Sequence, residues 1–105
     1  MVNWAIGTRK KYLEEEIKKY ALDLKNKEKA VSDIQEKIKK REDYIIYNHD
    51  RWDRPRLDIE SKKLTNLAIE ADELEYDFKI AERKYENASR KMIDIKRQMR
   101  EAYKK

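Results

Sequence analysis

The chain has 105 residues, of which 27 are Lys or Arg and 22 are Asp or Glu, and it carries a formal net charge of +5 with one Gly, one Pro and no Cys. So few turn-forming residues exclude a many-stranded β fold. The absence of Cys excludes a disulfide framework, a thiolate metal site and a thiol nucleophile. Charged residues reach 47% of the chain, and helix-favouring composition of this kind points to long helices or a coiled coil. The length predicts one domain. No apolar run approaches the roughly 20 residues that span a bilayer, and the chain opens without the apolar core of a secretory leader. A cytoplasmic protein without membrane insertion is therefore expected.

The first predicted element is a helix over about residues 8–48. Gly7 is the only breaker near its start, and Thr8 is a candidate cap. Its apolar seam reads Ile6, Lys10, Leu13, Ile17, Tyr20, Leu24, Lys27, Val31, Ile34, Ile38, Arg41, Ile45 and Asn48, with steps that alternate between four and three residues. A turn is predicted at about 49–54, around His49, Asp50, Trp52 and Pro55. Pro55 disfavours helical geometry at Arg54 and suits the first turn of a new helix, with Asp53 as its N-cap. The second helix is predicted over about 55–103. Its seam reads Leu57, Glu60, Leu64, Leu67, Ala71, Leu74, Phe78, Ala81, Tyr85, Ala88, Met92, Ile95, Met99 and Ala102. An apolar residue every three and four positions, sustained for this long, is the coiled-coil signature.

These elements predict an all-α fold, in which two long helices form an antiparallel coiled-coil hairpin. Each helix would run about 65–70 Å at 1.5 Å per residue, and the short connection makes antiparallel packing the default. A fold-back near Trp52 brings Ile38 to Leu67, Ile34 to Ala71, Leu24 to Ala81, Ile17 to Ala88, Leu13 to Met92 and Ile6 to Met99. A register slipped by one heptad also satisfies the pattern, but the short turn disfavours it. Charge supports the unslipped register. Residues 25–41 hold seven basic and three acidic side chains, and residues 58–82 hold eight acidic and three basic ones. Lys27 can snorkel past Phe78, and Arg41 is placed to reach Glu60.

No catalytic or cofactor site is expected. His49 is the only histidine, and no second His, Cys or organised carboxylate cluster accompanies it to make a metal site or a general base. No phosphate-cradling glycine loop or nucleophile motif is present either. The sequence therefore predicts a non-enzyme without cofactor or metal.

Binding residues are the remaining candidates. Arg51, Trp52, Arg54 and Arg56 make a basic, aromatic tip, and Trp and Arg are typical interface anchors. Alternatively, Trp52 folds back over Ile45, Asn48 and Leu57 and closes the seam. Outside the seam, Ile69, Tyr76 and Ile80 lie at spacings of seven and four on helix 2. A second apolar stripe at helical spacing predicts another helix packed there, from a partner or from self-association. The seam is interrupted by Lys10, Lys27, Arg41, Asn48 and Glu60, so a partner would also reinforce a thin core. The expected function is an adaptor, targeting factor or chaperone that binds a larger helical protein. The partner-binding candidates are Trp52, Arg54, Ile69, Tyr76 and Ile80. The alternative is a basic nucleic-acid-binding accessory protein, for example of a phage, acting through Arg90, Lys91, Lys96, Arg97 and Arg100. Against it, no helix-turn-helix, basic zipper or zinc finger is present. A purely structural spacer is the third reading.

Two antiparallel helices in about a hundred residues, with a Trp at the turn, resemble the WXG-type small hairpins of bacterial type VII secretion. They also resemble the small helical targeting factors that accompany LXG toxins in that pathway. Trp52 matches the turn Trp of this group. Arg54 stands where the family has Gly, and Pro55 follows it. Tyr103 is followed by two lysines rather than by the family's Tyr-x-x-x-Asp/Glu export signal. The resemblance implies a companion that pairs with a larger toxin's helical domain and helps deliver it to the secretion machine, with co-export alongside the partner as one route open to it.

Overall fold

The computed structural model describes residues 2–103, and their side chains from Gly7 onward. It contains two helices, α1 (Val2–Asn48) and α2 (Arg54–Tyr103), and no strand among the described residues. The chain is an all-α, coiled-coil helical hairpin. No described helix is long and apolar enough to cross a membrane.

The helix boundaries follow from local chemistry. At the start of α2, the Asp53 carboxylate accepts a hydrogen bond from the Arg56 N–H at 3.1 Å, and the Asp53 carbonyl accepts the first helical bond, from Leu57, at 3.0 Å. Both are the marks of an N-cap. Pro55 sits in the first turn, where its missing N–H costs nothing. At the end of α1, the Asn48 carbonyl accepts from the N–H of Arg51 at 2.9 Å and of Trp52 at 3.1 Å. The Asn48 side-chain amide in turn donates to the Tyr44 carbonyl at 2.9 Å. The turn needs no glycine, because no described residue adopts positive φ.

At the other end, the expected start near residue 8 is corrected. α1 is already helical at Val2 and runs through Gly7. A single glycine weakens a helix by roughly 1 kcal/mol relative to Ala, which is too little to end a helix that runs for 47 residues.

Every described position of the two predicted seams is buried or half-buried. Two units make up the chain. In the unit formed by Met1–Asn26 and Lys79–Lys105, Leu13, Ala88 and Met92 form the core, with Ile17, Tyr20 and Ile95 packed against it. The pairings of Leu13 with Met92 and of Ile17 with Ala88 fall within that cluster, as the unslipped register requires. Ala81 and Ala88 let the helix backbones approach, since a small residue faces a large one at these layers. The predicted pairing of Ile6 with Met99 lies outside the described side chains.

The second unit, Lys27–Phe78, holds the turn and the buried residues Ile34, Ala71 and Glu60. Arg41 reaches Glu60 with Nη1 to Oε2 at 2.9 Å, and Lys63 lies 3.3 Å from the other carboxylate oxygen. Gln35 donates to Glu75 across the two helices at 3.4 Å. Elsewhere, Lys10–Glu14 and Glu36–Lys40 are pairs within one helix turn. Such exposed pairs contribute a few tenths of a kcal/mol each at roughly the i,i+4 average.

Candidate protein-binding surface

The turn is stitched by arginine–aromatic contacts. The rings of Tyr44 and Trp52 meet edge to face, with centroids 5.1 Å apart. Arg56 lies over the Trp52 ring at 5.0 Å, Arg51 over Tyr47 at 5.1 Å and Arg41 over Tyr44 at 5.7 Å. Trp52 is half-buried, whereas Arg54 is exposed as the first residue of α2. The ring partner of Trp52 is Tyr44 of α1, which lies outside the seam. Trp52 therefore serves first to close the turn, and only its remaining edge is open to a partner. His49 pairs with Asp50 at 3.1 Å and stays exposed. Among the described residues, no group of three or more His, Cys, Asp or Glu is placed to hold a metal ion.

Beside the turn, Lys37, Lys40, Arg41, Tyr44 and Leu67 line an open groove of about 480 Å³. Two of its cations are already committed, Arg41 to Glu60 and Lys40 to Glu36. The groove has an apolar floor and no convergent set of free polar groups, so it lacks the features that orient a small-molecule substrate.

On α2, Ile69 is 53% exposed and Tyr76 is 67% exposed. Both lie on the face opposite the seam. Seven residues fall about 20° short of two full turns, so the two side chains stand one above the other. The predicted third member, Ile80, follows Tyr76 by four residues on the same helix but is half-buried, so the exposed members of the stripe are Ile69 and Tyr76. The sequence reading also missed what surrounds them. Asp72 and Glu73 sit three and four residues from both apolar side chains and are exposed. That spacing puts them on the same face, between the two.

The basic candidates at the other end of α2 are all exposed. Lys96, Arg97 and Arg100 share a shallow depression of about 330 Å³ with Ile93. Lys91 instead lines a separate groove with Arg9, Tyr12, Glu16 and Asp94 among others. Arg90 lines neither depression. The five residues thus divide between surfaces, and two carboxylates stand in the groove that holds Lys91.

No family model, curated protein or solved structure matches this chain. Fold and surface define its class: a two-helix coiled-coil hairpin whose own seam is filled and whose α2 bears a further apolar stripe.

Proposed function

We propose that this hairpin is a non-catalytic protein-binding module, an adaptor, targeting factor or chaperone that lays the outer face of α2 on a larger helical partner. One observation carries the reading: Ile69 and Tyr76 stand stacked and exposed on a helix whose seam residues are already spent on α1. Full burial of a large apolar side chain is worth roughly 1.5–3 kcal/mol, and since Ile69 is 53% and Tyr76 67% exposed, covering each contributes about 1–2 kcal/mol. The partly open edge of Trp52, next to Arg54, extends the contact to the turn. The likeness of the hairpin and its turn Trp to type VII secretion companions supports a secreted toxin as the client and co-export from the cytoplasm as the route.

The cluster of Lys96, Arg97 and Arg100 favours one second reading, an accessory protein that binds nucleic acid. Phosphate contacts release counterions, so that binding would fall steeply with salt. Affinity capture of the tagged chain from its host, with and without nuclease, separates the two. A protein retained after nuclease at near one-to-one yield supports the adaptor. A catch that disappears with nuclease supports the basic surface.

A further inference from the structure

From Leu64 to Phe78, α2 carries five acidic residues, Glu70, Asp72, Glu73, Glu75 and Asp77, and neither Lys nor Arg. This run spans about four turns, and it contains the exposed Ile69 and Tyr76. Glu75 turns toward α1, where its carboxylate accepts from Gln35. Glu70, Asp72, Glu73 and Asp77 are exposed beside the two apolar side chains. The chain is basic as a whole, so the carboxylates along this stripe are a local departure from its own charge, with the exposed Lys79, three residues beyond Tyr76, the one cation at its edge.

We infer that the occupant of this face is a basic amphipathic helix of a different protein, with apolar anchors about seven residues apart and Lys or Arg on both flanks. The inference rests on the adaptor reading and specifies its partner. Charge complementarity is the argument. Cations of the partner helix meet the four carboxylates, while its apolar stripe covers Ile69 and Tyr76; opposite flanking charges select partner and orientation in helix pairs. A second copy of this chain fits poorly. Two α2 faces brought together by a two-fold axis would set carboxylates against carboxylates. The lysine-rich stretch of α1 in the same unit offers no apolar complement, because among the described side chains no exposed large apolar residue lies between Leu22 and Tyr44.

The test uses the full chain and three synthetic peptides about 18 residues long. The first has a Leu stripe flanked by Lys, the second the same stripe flanked by Glu, and the third the first peptide's composition scrambled to destroy the stripe. Binding is read by fluorescence anisotropy. The Lys-flanked peptide is expected to bind most tightly. Ile69→Ser/Tyr76→Ser should weaken it about tenfold or more, as truncation of interface anchors does. Asp72→Lys/Glu73→Lys leaves two carboxylates against two cations on this face and should erase the preference for the Lys-flanked over the Glu-flanked peptide. All four positions are exposed, so helicity by circular dichroism should remain at the wild-type level in both variants.

Equal binding of the scrambled peptide would overturn the inference, because charge alone then accounts for it. Preference of the wild type for the Glu-flanked peptide would overturn the stated partner while the adaptor reading stands. Binding that ignores Ile69→Ser/Tyr76→Ser would remove this face from both. Dimerisation in sedimentation that these two substitutions abolish would identify a second copy as the occupant instead.

Discussion

Arg41 on α1 and Glu60 on α2 form an ion pair across the hairpin, with Nη1 and Oε2 2.9 Å apart and the Glu60 side chain only 8% exposed. Both occupy seam positions where the pattern calls for apolar residues. Removing one partner from a buried pair leaves a charge without compensation, which is costly, whereas replacing both by apolar residues is often neutral or stabilising. Arg41→Ala should therefore destabilise the protein, though by no more than about 3 kcal/mol, the low end for a buried pair. The loss is limited because Arg41 is a third exposed and Lys63 still faces Glu60. Arg41→Leu/Glu60→Leu should recover most of the loss in urea unfolding. If the double variant is as unstable as Arg41→Ala, the cost lies in packing rather than in the stranded charge.

The same double variant tests specificity. With Leu at both positions the seam near the turn keeps Asn48 as its one polar break and distinguishes the native register less sharply from one slipped by a heptad, since interrupted seams fix register at a cost in stability. Engineered cysteines that cross-link only in the native register should do so less completely in Arg41→Leu/Glu60→Leu than in the otherwise wild-type chain. Equal cross-linking would show that the turn alone sets the register.

Asp53 caps α2 through the Arg56 N–H. Replacing an N-cap Asp by Ala typically costs about 1 kcal/mol. Asp53→Ala should lower the urea midpoint accordingly, and Asp53→Asn or Asp53→Ser should restore most of it. Failure of Asn and Ser to rescue would assign the effect to charge rather than to the cap hydrogen bond.

Tyr44 packs its ring against Trp52. In a Trp4→Phe background, where Trp52 is the only indole, Tyr44→Ala should shift the emission of Trp52 to the red and cost about 0.5–1.5 kcal/mol beyond the lost area. An unchanged emission maximum would mean that the ring contact does not shield Trp52.

Gly7 lies inside α1, and a Cβ added there meets no atom within 4 Å. Gly7→Ala should therefore raise stability by about 0.5–1 kcal/mol, from helix propensity and a less flexible unfolded chain. A loss of stability in thermal unfolding would contradict the open surroundings of this residue.

The fold was legible because its determinant is repetitive. Twenty-seven seam positions of one pattern tolerate individual exceptions such as Lys27 or Glu60, so the seam could be read residue by residue and its partners assigned by counting from Trp52. Even the polar exceptions were informative, since Arg41 was placed to reach Glu60 and does. Single residues with local consequences were harder. Gly7 suggested a boundary that the packed helix overrides. Ile80 matched the outer stripe by spacing but is half-buried. Burial on one flank of the α1 seam, at Glu16, Asp23 and Ala30, follows the heptad without following hydrophobicity. Trp52 reads from the sequence either as an interface anchor or as a closing residue, and its ring partner depends on the path of a turn that the heptad does not encode. The surface was legible only in its apolar members; the carboxylates around Ile69 and Tyr76 gained meaning once both faces of α2 were known.

The central claim is that the exposed stripe on α2, rather than the seam or the basic end, binds the partner. The most direct test is capture from the native host with three baits: wild type, Ile69→Asp/Tyr76→Asp, and Arg97→Gln/Arg100→Gln, each first matched for helicity. The account predicts that the first and third retain the same nuclease-resistant protein and that Ile69→Asp/Tyr76→Asp loses it. Retention by Ile69→Asp/Tyr76→Asp together with loss by Arg97→Gln/Arg100→Gln would contradict the claim and move the binding surface to the basic end of α2.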